Sequence, residues 1–126
     1  MILGFAHYNL RARRPLLDEL CNFYCDVVGL HRGDRPPFKF FGYWLYAGEQ
    51  DVLHLTEAGA NEVHYTHVSG TFDHVAFNCT DREAVEQHLR KHGIQFRTAL
   101  VPLTNRNQIF FSDPAGNGVE LNFAND

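Results

Sequence analysis

The sequence has little of what marks a secreted, membrane-bound or nucleic-acid-binding chain. It holds three cysteines, Cys21, Cys25 and Cys79, an odd number with no CxxC pair. They read as reduced, partly buried thiols of a cytosolic protein rather than as a disulfide framework. No apolar run approaches the roughly 20 residues that a membrane span requires. The opening stretch, MILGFAHYNLRARR, places its arginines after the apolar residues, the reverse of a secretory signal, so a cytoplasmic location is expected. Positive charge is scarce too. Eleven Lys and Arg against fifteen Asp and Glu leave a net charge of −4, which offers no basic surface for a phosphate backbone. Nucleic acid is therefore not an expected partner.

What is present is one domain's worth of chain: 126 residues, 44% hydrophobic, enough to bury a core without staples. Eight histidines are a high count, and the chain places some of them in a repeat. Phe5-Ala6-His7-Tyr8-Asn9-Leu10 matches Phe72-Asp73-His74-Val75-Ala76-Phe77, at an offset of 67. Val52-Leu53-His54-Leu55 matches the region of Val119-Glu120-Leu121, at an offset of 66. Two pairs at nearly one offset argue for a duplicated unit.

The elements within each unit agree. Pro15 sits where a helix takes its first residues, Leu16, Leu20, Phe23, Tyr24 and Val27 recur at helical spacing, and Gly29 is a stop signal. Thr80-Asp81-Arg82-Glu83 is a capping-box pattern that opens a second helix through Val85 and Leu89 to Gly93. Each helix is followed by three aromatic and β-branched runs, about 30–34, 40–47 and 51–56, then 94–100, 108–112 and 118–123. The expected fold is α+β: a βαβββ module at 1–56, a polar linker at 57–71 and a second βαβββ module at 72–126. A curved, partly closed mixed sheet would enclose a cleft.

If the repeat is a pseudo-twofold, His7 and His74 are equivalent points on the first strands, and His54 and Glu120 on the last. All would face the cleft, because strand side chains alternate. Two imidazoles and a carboxylate suit a divalent first-row metal with open positions. A lone histidine on an apolar strand is more often a core residue; the symmetric recurrence and Glu120, an acid among Val119, Leu121 and Phe123, tip the reading toward metal ligands. His7, His74 and Glu120 are the candidate ligands. His54 is a fourth ligand, an acid–base group or an orienting residue.

At these residues the chain resembles the vicinal oxygen chelate superfamily of glyoxalases, bleomycin-resistance proteins and extradiol dioxygenases. The resemblance rests on Asp113-Pro114-x-Gly116-Asn117-x-Val119-Glu120-Leu121, on Phe23-Tyr24 with Val28-Gly29-Leu30, and on Asp73-His74-Val75-Ala76-Phe77. It covers almost the whole chain and implies metal ligation by His7, His74 and Glu120 on the first, fifth and eighth strands. His54 falls on the fourth-strand position, where glyoxalase I usually carries a carboxylate and extradiol dioxygenases a histidine. Phe110 stands where those dioxygenases usually carry a tyrosine. The implied cofactor is one Fe(II), Mn(II), Ni(II) or Zn(II) ion. The implied protein is a homodimeric enzyme whose small substrate chelates the metal through adjacent oxygens. Three functions follow: extradiol ring cleavage, a glyoxalase-type isomerase, epimerase or thiol transferase, and metal-free binding of the bleomycin-resistance kind.

Around this centre, His54 is the acid–base candidate with Tyr43 and Tyr46 as helpers. The dense aromatics from Phe38 to Tyr46 exceed what one buried face needs, which brings Trp44, with Phe110, into the expected substrate pocket. Arg97, Asn105 and Arg106 flank the loop between the sixth and seventh strands; solvent-facing charge is the plainer reading and an anionic ligand the alternative. His88 and His92 at i, i+4 can grip zinc, but imidazolium near a helix C-terminus is the commoner role. His64 and His67 fall in the linker, where solvation is the plainer reading.

Overall fold

The computed structural model describes residues 1–64, 66–68 and 70–124; Tyr65 and Ser69 of the expected linker, and Asn125 and Asp126, lie outside them. The chain divides into two compact units, Met1–Tyr65 and Thr66–Asp126. Each contains a four-stranded mixed sheet, and each follows the order β-α-β-β-β.

The first unit runs β1 (Tyr8–Ala12), α1 (Arg14–Phe23), β2 (His31–Gly33), β3 (Gly42–Ala47) and β4 (Gln50–Glu57). Its sheet order is β1-β4-β3-β2, with β1 and β4 parallel and the other pairs antiparallel. Leu17, Leu20, Cys21 and Tyr24, spaced i, i+3, i+4 and i+7, form the buried stripe of α1 and its extension, and α1 packs on β4 and β1. The predicted positions Leu20, Tyr24 and Val27 are buried, but Leu17 and Cys21 complete the stripe in place of Leu16 and Phe23, which are only half-buried. The helix widens into a π-helical turn at Tyr24–Val28. Gly29 then ends it in the left-handed region, at φ 102°, where a Cβ would be strained.

The second unit repeats the plan with β5 (His74–Cys79), α2 (Arg82–Lys91), β6 (Arg97–Leu100), β7 (Asn107–Ser112) and β8 (Gly118–Phe123), in the order β5-β8-β7-β6. Its helix starts one residue later than the capping box predicted. Asp81, not Thr80, is the N-cap and accepts the Ala84 N–H at 3.2 Å, because a short carboxylate tolerates the left-handed backbone found there.

The register shows the duplication residue by residue. On β4, His54 lies beside Asn9, two residues after His7, and opposite Trp44. On β8, Glu120 lies beside Ala76, two residues after His74, and opposite Phe110. In both units one sheet face is the apolar core, with Leu45, Leu53 and Leu55 in the first and Ile109, Val119, Leu121 and Phe123 in the second. Alternation turns His54 and Glu120 to the other face.

Candidate functional site

Glu120 is 7% exposed and flanked along β8 by two core residues, so its carboxylate needs a partner. That partner is His74, whose Nε2 lies 3.1 Å from Glu120 Oε1. The other imidazole nitrogen, Nδ1, lies 2.7 Å from Asp73 Oδ2. With Asp73 accepting the Nδ1 proton, the Nε2 lone pair would face a carboxylate oxygen. Two electron-rich atoms at that distance repel unless a proton or a metal ion stands between them. A metal ion fits: two neighbouring donors about 2.1 Å from one ion, at right angles, stand about 3 Å apart. The Asp73–His74–Glu120 series also has the outer carboxylate that orients metal-bound histidines.

A close backbone approach holds this arrangement. Gly118 N–H donates to the Asp73 carbonyl at 3.2 Å, and a Cβ on Gly118 would come within 2.4 Å of that oxygen and 2.9 Å of His74 Cβ. Only glycine lets β8 begin here. The preceding turn is built around Asp113, 4% exposed, whose carboxylate accepts from Ala115 N and Asn117 N at 2.9 Å and from Asn117 Nδ2 at 3.1 Å. Asp73, His74, Arg97, Phe110, Gly118 and Glu120 line an open groove of about 620 Å³, a size suited to a small molecule.

The first unit carries a second histidine cluster. His54, 8% exposed, stacks on Trp44 at 4.0 Å and on His7 at 3.6 Å, with interplanar angles of 10° and 15°. Its Nε2 lies 2.6 Å from Asp51 Oδ2, and this hydrogen bond is the main cause holding the Asp51 carboxyl below its usual range. Donor atoms of His7, Asp51 and His54 all lie within 4.8 Å of one another. Nitrogen lone pairs lie in their ring planes, however, and two nearly parallel rings stacked face to face aim them side by side. As stacked, His7 and His54 do not present two bonds to one ion, and Asp51 is paired with His54.

The tyrosines part company. Tyr43 faces the helix side of its sheet, away from His54, and donates its hydroxyl to Asp18 Oδ1 at 2.6 Å. Burial, reinforced by Asp18, pushes this phenol up to about 12, so it serves as a strut between β3 and α1. Tyr46 shares the Trp44 face and donates to the Asp34 carbonyl at 2.5 Å. Arg106 is not among the groove-lining residues; its N–H donates to Thr104 Oγ1 within the loop. The His88 and His92 rings lie 4.3 Å apart, tilted by 51°, and His92 Nδ1 donates to the His88 carbonyl. His64 pairs with Glu62, and the His67 N–H donates to the Ala115 carbonyl.

Asp73 and Asp51 were missed as partners. Asp73 was signalled by standing next to a histidine at a strand start. Asp51 was not: three residues before His54, simple alternation places it on the opposite face, and only the irregular pairing between Leu45 and Ala47 near the end of this hairpin breaks that pattern.

Residues 4–121 match the sequence pattern of the Glyoxalase/Bleomycin resistance protein/Dioxygenase superfamily. The chain belongs to this superfamily. Among solved structures, it is similar to a glyoxylase/bleomycin resistance protein/dioxygenase domain from Frankia sp. EAN1pec, with a TM-score of 0.75, 18% identity and coverage of 98% of this chain and 99% of that one. It is similar to lactoylglutathione lyase from Agrobacterium tumefaciens, with a TM-score of 0.68, 23% identity and coverage of 97% and 94%. It is also similar to the fosfomycin resistance protein FosX from Listeria monocytogenes, with a TM-score of 0.73, 14% identity and coverage of 98% and 95%. At these identities the likeness is one of fold. No curated protein matches the chain. Among the described residues, no helix is long and apolar enough to cross a membrane.

Proposed function

We propose that this superfamily member is a divalent-metal-dependent enzyme acting on a small substrate that offers two adjacent oxygens. The observation that carries the reading is the His74 Nε2–Glu120 Oε1 distance of 3.1 Å, with Asp73 behind the imidazole. His74 and Glu120 are two of the donors. His7 is the third on the sequence argument, through its recurrence in the repeat and the family resemblance. A bound Fe(II), Mn(II), Ni(II) or Zn(II) ion would supply Lewis-acid polarisation of the chelating oxygens.

The chain's own residues have separable tasks. Glu120 holds negative charge at a nearly dry position. Asp73 keeps the Nδ1 proton of His74 and so presents Nε2 outward. Phe110, edge-on to His74 with centroids 6.1 Å apart, shields one flank of the imidazole from water. His54, hydrogen-bonded to Asp51, is the proposed proton-moving group, because an imidazole oriented by a carboxylate is placed to act as general base and general acid. That dyad favours proton-transfer chemistry of the glyoxalase type; ring cleavage of a catechol is the second reading, favoured by the histidine at position 54. A homodimer belongs to the same proposal.

Metal analysis of protein purified without chelators tests the centre. The expected result is about one divalent ion per chain, lost in H74A and E120A; full metal content in both variants overturns it. Anaerobic turnover with Ni(II), Mn(II) or Zn(II) supports the glyoxalase-type reading, and oxygen uptake with catechols and Fe(II) supports ring cleavage. Equilibrium sedimentation reads the dimer.

A further inference from the structure

The groove of the second unit holds a cation that the metal centre does not use. Arg97, the first residue of β6, pairs with Phe110 across the β6–β7 ladder, and its Cζ lies 4.1 Å from the Phe110 ring centroid. His74 meets the same ring edge-on. Guanidinium and imidazole thus flank one phenyl ring, and both line the groove.

Among the described residues, no carboxylate pairs with Arg97, although two stand in the same groove. Both are committed to His74, Asp73 to Nδ1 and Glu120 to Nε2. Arg11, Arg14, Arg82 and Arg90 each meet a glutamate; Arg97, like Arg32 and Arg35, is held over an aromatic ring instead, and of these three it is the one that lines the groove. Stacking restricts the Arg97 side chain before any ligand arrives, so its planar fork of N–H donors loses little further freedom on binding. Charge points the same way. Asp73 and Glu120 bring two negative charges, while a divalent ion and Arg97 bring three positive ones, which leaves the loaded groove favourable to an anion.

We propose that Arg97 anchors an anionic group of the substrate, a carboxylate, phosphonate or phosphate ester, so that the groove selects small organic acids over neutral molecules of the same shape. This deepens the reading of His74 and Glu120 as a metal centre and rests on it. A planar or tetrahedral oxyanion accepts two parallel N–H bonds from a guanidinium, which the hydroxyl or amide of a neutral analogue does not.

The test uses benzoate and phenylphosphonate as probes, with benzamide as the uncharged counterpart of benzoate. Each is titrated by NMR into the full chain, with and without one equivalent of Zn(II), in wild type, R97Q, R97K and R106Q. Expected are shifts at the Arg97 Nε–H and the Phe110 ring on anion binding, and about tenfold weaker anion binding in R97Q. R97K should recover part of it, R106Q should match wild type, and benzamide should bind weakly to all four. Anion binding unchanged in R97Q, or benzamide binding as well as benzoate, overturns the proposal. The Zn(II) titration is read separately: if zinc fails to bind wild type, the metal reading falls, and the R97Q contrast in metal-free protein still decides the role of Arg97. Amide spectra of each variant establish that it is folded.

Discussion

At the scale of single residues, the second unit is organised around what Glu120 needs. A carboxylate 7% exposed on an apolar strand is stable only with a partner, and His74 supplies it at 3.1 Å. Asp73 then decides which imidazole nitrogen faces Glu120. Because Asp73 is itself highly exposed, its replacement should disturb orientation and not fold. D73N is expected to bind Zn(II) about 10- to 100-fold more weakly than wild type, with an unchanged amide spectrum; calorimetric titration that gives equal affinities would remove Asp73 from this role. Glu62 is a different kind of acid. Hydrogen bonds from Arg11 first, then His64 and the Gly59 N–H, hold its carboxyl well below the usual range; the bond from His54 also lowers Asp51. A carboxyl whose pKa is lower in the folded than in the unfolded chain stabilises the fold above its unfolded value, and that contribution is lost as pH falls through the folded value. Stability should hold from neutral pH to about 5 and decline below about 4.5. Urea midpoints at pH 7, 5, 4 and 3 should decline less steeply in E62Q than in wild type; parallel curves would show that Glu62 carries none of the acid response.

At the scale of elements, the turn between β7 and β8 sets where Glu120 comes to lie. Asp113 ties that turn with three hydrogen bonds, and Gly118 lets the next strand close on Asp73 and His74. Replacing Asp113 by Ala leaves two half-buried N–H groups, those of Ala115 and Asn117, without their acceptor and is expected to cost about 1–2 kcal/mol, read as a lower urea midpoint. Metal affinity should fall with it, since the start of β8 is then less well held. A D113A variant as stable as wild type would mean that the backbone holds the turn unaided. The helices illustrate how local signals shift by one residue. Pro15 and Gly29 bracket the first helix as their backbone preferences require. Which leucine is buried depends on how the helix is rotated onto β4 and β1, and that contact favours Leu17 over Leu16.

At the scale of the whole molecule, the two units share a strand order, a register and one polar sheet face apiece. Metal binding should be visible as added stability of the fold that binds it. An ion present at about 100 times its Kd stabilises by about 2.7 kcal/mol if it binds only the folded state. Thermal melts of wild type should therefore rise with Zn(II) or Ni(II), and melts of H74A should not. Equal shifts in both would place the bound ion elsewhere.

Much of this was legible in the sequence. The duplication, the βαβββ order and the placing of His54 and Glu120 opposite their sheets' cores follow from offsets of 66 and 67 and from strict alternation, which are local properties of a chain. The family likeness was legible for the same reason in short local motifs such as Asp113–Leu121, within a match that spans residues 4–121. Tertiary structure alone decided the partners. It sent Tyr43 to Asp18 across the sheet and helix, stacked His54 between Trp44 and His7, and, among the described residues, left Arg97 without a carboxylate. Such pairings depend on side chains meeting from elements far apart in sequence, and no periodicity within one element encodes them.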